Sequence, residues 1–219
     1  TMVVFITLII FPIMSYKDFT TLEKVVKDFN LEVLDKDLHS EAKSETLPGE
    51  YVTDTMQRVT LAKNINTEKA RSELIIAPII YYVKKKVKQM SFFSGNEFNV
   101  DSAKGLNGFC DYIITASKQQ HFIDHPIAAM VEAKKGNLVD AYGQCASEMV
   151  AAQIFNLEKE DAIEGNRKIH GIVTDGESWD FLSLQDKKLE INKKTYHIDN
   201  VAKIIGIIRS IVQTGSHSE

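Results

Sequence analysis

The sequence predicts one α/β domain in which helices flank a central mixed sheet. Two patterns carry this prediction: apolar strand-like segments alternate with segments of helical periodicity, and their order is helix, three strands, helix, strand. The chain has 219 residues, of which 44% are hydrophobic and 26% charged, a composition typical of globular proteins with a sizeable core. A net charge of −4 excludes a polycation that coats nucleic acid, so any nucleic-acid contact must rest on a local patch.

The amino-terminal residues precede what looks like a natural start at Met14. Residues 3–14 (VVFITLIIFPIM) form an uncharged apolar run that is too short to span a bilayer. The run also lacks the basic start and the small-residue cleavage site of a secretory signal. We therefore expect residues 1–13 to be an upstream extension of the protein, with a membrane-associating segment as the alternative.

The two cysteines bear on the compartment. Cys110 and Cys145 are far apart in sequence, and neither belongs to a CxxC pair or to a Cys/His cluster of zinc spacing. They indicate small buried hydrophobes in a reducing environment. We expect a cytoplasmic protein without stable membrane insertion.

Residues 14–65 are predicted to be helical apart from one connector. Apolar residues recur at helical spacing over residues 15–30, and residues 53–63 allow a second, shorter helix. Between them, residues 31–51 are acidic and contain Pro48-Gly49, which indicates an irregular connector.

The main part of the domain, residues 66–214, is predicted to open with a long helix. Asn66 is expected to cap this helix, which runs to about residue 90 with a kink at Pro78. Residues 96–101 and 108–116 then indicate a hairpin. The later elements are predicted as a buried strand over residues 127–134, a helix over 139–156, strands over 169–174, 179–185 and 189–198, and a closing helix over 201–212.

Acidic residues and one lysine converge at the end of the predicted buried strand. Glu132 and Lys134 are two residues apart, so their side chains share one face of the strand, and Asp111 faces them if the second hairpin strand lies alongside. A buried carboxylate is costly without compensation, and two converging carboxylates repel each other. A divalent cation relieves both effects, and oxygen ligands without His or Cys favour Mg²⁺ or Mn²⁺.

The acid-x-lysine spacing alone is weak evidence for such a site. The same spacing begins at Glu41 in the polar connector and at Asp186 in a turn. The competing interpretation of Glu132 and Lys134 is an ion pair on an edge strand. Only their position at the end of an apolar strand separates them from the other two instances.

In element order and in motifs, the chain resembles the PD-(D/E)XK nuclease superfamily, whose restriction-endonuclease-like fold has an αβββαβ core. The resemblance covers about residues 15–214 and is especially close to short stand-alone bacterial members and to the nuclease domains of type I restriction subunits. It rests on the stretches RSELIIAPII (71–80), GLNGFCDYIIT (105–115), PIAAMVEAKKGN (126–137), AYGQCASEMVAAQIF (141–155) and IHGIVTDGESWDFLSL (169–184).

The resemblance implies a role for each matching residue. Asp111 and Glu132 correspond to the metal-binding carboxylates, and Glu73 to an auxiliary acid and metal ligand on the first core helix. Lys134 corresponds to the lysine that orients or activates the attacking water, and Gln144 to a glutamine on the following helix. The proline that usually precedes the first acid is absent from this chain.

The resemblance further implies a nuclease that depends on Mg²⁺ or Mn²⁺ and hydrolyses DNA to leave a 5′-phosphate. The alternative is a catalytically quiet nucleic-acid-binding or structural member of the same fold in a defence or mobile-element system. Only four of the 26 basic residues are arginines, which favours the alternative because arginine is the usual bidentate phosphate ligand. The sequence leaves open whether the chain forms a homo-oligomer.

The densest basic run lies at the carboxyl end of the predicted helix that carries Glu73. It comprises Lys84, Lys85, Lys86 and Lys88. One interpretation is contact with a nucleic-acid backbone. The other is a set of lysines that complements the negative end of the helix dipole.

Overall fold

The structure, a computed structural model, describes residues 14–159 and 167–215, in which eight strands form one sheet. The strands are β1 Glu32–Lys36, β2 Ser91–Glu97, β3 Phe109–Thr115, β4 Ile127–Ala133, β5 Ile169–Thr174, β6 Ser178–Gln185, β7 Lys188–Asn192 and β8 Tyr196–His197. Their spatial order is β1-β7-β6-β5-β4-β3-β2, and β8 pairs with β6. The β4–β5 and β1–β7 pairs are parallel and the others antiparallel, which confirms the predicted mixed sheet.

Helices cover both faces of the sheet. They are α1 Leu22–Phe29, α2 Gly49–Ile65, α3 Glu68–Arg71, α4 Ala77–Lys86, α5 Tyr142–Lys159 and α6 Val201–Gly215. One apolar core joins the sheet to α2, α4 and α6, and the other joins it to α1 and α5. Strand β4 contributes Val131 to the first core and Met130 to the second, so it is buried on both faces, as its apolar sequence predicts.

The amino-terminal region has more regular structure than the sequence predicts. Residues 15–30 do not form one helix: a 3₁₀ turn, Tyr16–Asp18, precedes α1, whose amino end is capped by Thr21. The predicted connector contains β1, a strand at the edge of the sheet. Every residue of β1 is exposed and its partner β7 lies far along the chain, so no local apolar pattern marks it.

The predicted helix that carries Glu73 is interrupted by a π-helical turn, Ser72–Ile76, between α3 and α4. Pro78 follows in the first turn of α4 and has no N–H to donate to the carbonyl of Leu74. That carbonyl instead accepts a hydrogen bond from Arg58 Nη1 at 3.4 Å. The kink predicted at Pro78 is therefore a wider helical turn just before it.

The predicted cap of this helix is wrong by one residue. The Thr67 hydroxyl accepts the backbone N–H of Ala70 at 3.1 Å and caps α3. Asn66 instead ends α2 in the left-handed conformation, which asparagine tolerates better than most residues.

The later elements follow the predicted order with shifted boundaries. Strand β2 begins at Ser91, before the predicted start, and the helix over α3 and α4 ends at Lys86, before residue 90. The single strand predicted over residues 189–198 is two strands, β7 and β8. Within residues 14–159 and 167–215, no helix is long and apolar enough to cross a membrane.

The expectation for residues 1–13 concerns a segment outside the described residues, and it can be tested through stability. Met14 is held by a hydrogen bond from Asn107 Nδ2 to its carbonyl at 2.8 Å, and Tyr16 is fully buried. A chain that begins at Met14 keeps this hydrogen bond and every described residue of both cores, so it should melt within about 3 °C of the full chain, a change of less than about 1 kcal/mol. Thermal unfolding of both chains measures this, and a drop of more than about 10 °C would show that the extension packs into the core.

Candidate active site

The predicted site residues gather where β3 and β4 separate beside α5. The register of the two strands pairs Tyr112 with Val131, and the ladder does not continue past this pair toward the end of β4. At that point Asp111 Oδ2 accepts the backbone N–H of Ala133 at 2.7 Å. A side-chain carboxylate thus replaces a ladder hydrogen bond and fixes Asp111 against the end of β4.

Glu132 lies within β4, and its side chain points to the face of the sheet that α5 covers. Glu132 is only 6% exposed, and its Oε2 accepts a hydrogen bond from Gln144 Nε2 at 2.9 Å. Gln144 lies in the first turn of α5, which follows directly on the 3₁₀ turn Leu138–Ala141. The structure therefore brings Asp111, Glu132 and Gln144 together, as the sequence predicts.

A third carboxylate in this cluster, Glu148, was not among the predicted site residues. Its side chain is fully buried one turn after Gln144, whose Nε2 donates to Glu148 Oε1 at 3.2 Å. The other oxygen, Oε2, has no hydrogen-bond partner among the described residues. The i, i+4 spacing from Gln144 was the only available signal, and an acid on a helix is exposed far more often than buried.

The carboxylates of the cluster repel one another when they are ionised. Burial raises the pKa of Glu132 well above its usual range, and the nearby Glu148 and Asp111 carboxylates raise it further. Burial likewise raises the pKa of Glu148 and of Asp111, although the Ala133 N–H lowers the latter. Without a cation, the cluster therefore retains protons that ordinary carboxylic acids release at neutral pH.

Because Glu132 keeps its proton in the folded chain, a neutral residue at this position should stabilise the fold by an amount that depends on pH. The folded chain keeps a proton on Glu132 that the unfolded chain releases above its ordinary pKa near 4.5, so stability falls as pH rises from there through neutrality. Glu132→Gln keeps the neutral hydrogen-bonded form and should be more stable than the wild type by on the order of 2 kcal/mol at pH 7.

Urea unfolding without divalent ions, between about pH 5 and pH 8, measures the gain, which should grow with pH. The matched control is Glu158→Gln, which removes the same charge from an exposed position on α5 and should change stability little. A loss of stability in Glu132→Gln, or a gain independent of pH, would contradict the raised pKa.

Lys134 follows the last residue of β4 and is half-buried. Its backbone N–H donates to the Thr174 carbonyl at 2.8 Å, which extends the β4–β5 pairing by one residue and fixes this end of the strand. Its ammonium lowers the pKa of both Asp111 and Glu132, so it acts on both carboxylates. The next residue, Lys135, is exposed and its Nζ donates to the Asn66 carbonyl at 2.9 Å.

Glu73 lies at the rim of this site rather than within it. It lines a cavity of about 480 Å³ together with Asp111 and Ala133. Its side chain is 64% exposed and its nearest charge partner is Lys69, at 3.8 Å. Glu73 therefore lies near Asp111, but within residues 14–159 and 167–215 no hydrogen bond joins it to Asp111, Glu132 or Glu148.

Glu68 is an acid near the cluster to which the sequence analysis gave no role. Its Oε2 accepts the backbone N–H of Lys135 at 2.9 Å, and it lines the same cavity as Asp111. Its charge raises the pKa of both Asp111 and Glu132. Acids are common in the first turn of a helix because they complement its dipole, so the position of Glu68 in the sequence gives no further signal.

The basic run lies at the carboxyl end of α4 and just after it, well beyond Glu73 along the chain. Lys84 Nζ donates a hydrogen bond to the carbonyl of Met90, which lies just after α4. The ammonium groups of Lys85 and Lys86 lie over the rings of neighbouring tyrosines, and Lys88 is exposed. Eleven residues of helix separate Glu73 from Lys84, or about 17 Å at 1.5 Å per residue. A nucleic-acid contact at this run therefore remains a prediction.

Within residues 14–159 and 167–215, no three His, Cys, Asp or Glu side chains form a group that could hold a metal ion. Comparison of the chain with protein-family models, curated proteins and solved structures gave no match.

Proposed function

We propose that the chain is a divalent-metal-dependent nuclease that hydrolyses phosphodiester bonds in DNA. The observation that supports this most is the convergence of Asp111, Glu132 and Lys134 where β3 and β4 separate, with Asp111 at the wall of a cavity. An edge-strand ion pair does not account for it, because β4 lies inside the sheet between β5 and β3.

The order of the elements supports the same proposal. From α4 onward, the chain runs through β2, β3, β4, α5 and β5, and these four strands are neighbours in the order β5-β4-β3-β2. This order agrees with the helix, three strands, helix and strand of the αβββαβ core named above, which supports the proposal. Asp111, Glu132 and Gln144 lie on the second strand, the third strand and the second helix of that series.

The residues present fit a hard divalent cation. Burial raises the pKa of both Asp111 and Glu132, and the Asp111 carboxylate raises that of Glu132 further, so a cation beside them would let both ionise. Mg²⁺ is typically bound by one or two carboxylates, with water and substrate phosphate completing its shell, so it does not require a cage of three protein ligands. Bound to these carboxylates, the ion would offset phosphate charge and lower the pKa of a water molecule.

The side chains around the carboxylates orient them and move protons. Gln144 fixes the Glu132 carboxyl through the hydrogen bond to Oε2, while the Ala133 N–H fixes Asp111. Lys134 is close enough to favour the ionised form of both carboxylates. Its ammonium would orient the attacking water, and with a cation bound nearby its neutral amine could take a proton from that water.

The experiment that tests this proposal is a cleavage assay on the purified chain. Supercoiled plasmid, single-stranded DNA and RNA are each incubated with Mg²⁺, with Mn²⁺ or with EDTA. We expect cleavage of DNA with either ion and none with EDTA, and the product ends should carry 5′-phosphates. Binding of nucleic acid without cleavage under any condition would instead support the catalytically quiet alternative.

A further inference from the structure

The outer edge of the sheet at β1 has no partner strand within residues 14–159 and 167–215. All five residues of β1 are exposed, and the exposed fractions of the apolar Val33 and Leu34 are 39% and 40%. An exposed sheet edge presents unpaired backbone N–H and C=O groups, and it is a template for pairing with another strand. We propose that β1 pairs antiparallel with β1 of a second copy of this chain, centred on Leu34, to form a symmetric dimer.

The backbone of β1 already determines which residues can pair outward. The Glu32 N–H donates to the Lys187 carbonyl at 2.7 Å, and the Lys36 carbonyl accepts from the Lys193 N–H at 3.0 Å, so both face β7. Since successive strand residues direct their backbone groups to opposite edges, the N–H and C=O of Val33 and Asp35 face outward. Antiparallel pairing centred on Leu34 sets Val33 opposite Asp35 of the second copy, so the outward-facing residues meet each other.

In this register, oppositely charged residues of the two copies of β1 face each other. Glu32 lies opposite Lys36 of the second copy, and the two-fold axis repeats the pair. Both pairs occupy positions where the facing residues lack mutual backbone hydrogen bonds and their side chains approach most closely. Lys36 Nζ also contacts Glu190 Oε1 at 2.6 Å, but its side chain is 55% exposed and an ammonium has three donors, so it can serve both carboxylates.

The same charges disfavour the neighbouring registers. Pairing centred on Asp35 would place two Asp35 carboxylates directly opposite each other, which is destabilising. Pairing centred on Val33 would set Lys36 opposite Asn30, which ends α1 in the left-handed conformation with φ 53° and cannot extend the strand. The register centred on Leu34 is therefore the one that both the backbone and the charges allow.

The first test is cross-linking of Leu34→Cys in the full chain. The two Leu34 residues face each other without mutual backbone hydrogen bonds, and such pairs have Cα atoms about 4.5 Å apart. This distance is within the range of about 4.4–6.8 Å that a disulfide spans. The native Cys110 and Cys145 are buried and do not compete. Mild oxidation should convert most of Leu34→Cys to a covalent dimer on a non-reducing gel.

The matched control is Leu61→Cys, at an apolar position of α2 that is 50% exposed. It should stay mostly monomeric, and an equal dimer yield from both variants would overturn the proposal. Cross-linking of Leu34→Cys only in a chain that begins at Met14 would also overturn it, because residues 1–13 would then cover the edge.

The second test uses charge. A pair of five-residue strands is smaller than a standard interface, so we expect a dissociation constant on the order of 100 µM in sedimentation equilibrium. Glu32→Lys sets like charges opposite each other and should raise this constant about tenfold. Glu23→Lys makes the same charge change in α1 and should leave it within about twofold. Equal effects of the two variants, or no dimer in the unmodified chain, would overturn the proposal.

Discussion

Replacement of Lys134 by alanine should lower the single-turnover rate of DNA cleavage by roughly 10²–10⁴-fold, the range for a lost acid–base group. Lys134 interacts with both Asp111 and Glu132, yet an ammonium cannot ligate a cation. Metal affinity should therefore change little, and DNA affinity should weaken only modestly. Rapid-quench cleavage with excess enzyme, together with Mn²⁺ calorimetry, separates these effects.

The control for this prediction is the neighbouring residue. Lys135 carries the same charge, is exposed, and its side chain bonds to the Asn66 carbonyl instead of acting on the carboxylates. Lys135→Ala should keep nearly the full cleavage rate. If both variants lost activity equally, the effect would belong to local positive charge rather than to the position of Lys134.

Asp111→Asn should abolish cleavage and weaken Mn²⁺ binding at least about 30-fold, or about 2 kcal/mol. Asparagine has nearly the same shape, and its side-chain oxygen can still accept the Ala133 N–H that Asp111 accepts now. The substitution therefore removes charge without removing the contact that fixes β3 to β4. Mn²⁺ titration by calorimetry gives the affinity, and circular dichroism checks the fold.

Asp140→Asn serves as the control for Asp111→Asn. Asp140 is exposed in the turn just before α5, so its variant makes the same charge change close to the site. Its Mn²⁺ affinity should match that of the wild type. Equal affinity in Asp111→Asn would remove Asp111 from the proposed metal site.

The sequence predicted those elements whose residues carry a regular apolar pattern. Strand β4 is apolar almost to its end, and the residues that pack α5 against the sheet recur at helical spacing, so both were placed correctly. Strand β1 was missed because its five residues are all exposed and its stability comes from a strand at the other end of the chain. Non-local pairing of this kind leaves no signal in a short window of sequence.

The sequence predicted some residues of the candidate site and missed others. Asp111, Glu132 and Gln144 meet as expected because alternation along strands and the start of α5 determine where they point. Glu148 and Glu68 join the cluster through helix packing, which is decided by the whole core rather than by local spacing. Buried acids are rare, so sequence patterns favour exposure for Glu148, whereas Glu68 is exposed and reaches the cluster through the position of α3.

The parallel pairing of β1 with β7 also determines when the sheet can be completed during synthesis. The two strands are separated by about 150 residues, so β1 leaves the ribosome long before β7 exists. Chains emerge at about 5–20 residues per second, which leaves β1 without its partner for roughly 8–30 seconds. During that interval its three charged residues keep it hydrated. We therefore expect the β2–β3–β4 meander to form cotranslationally, with the β1 edge added last.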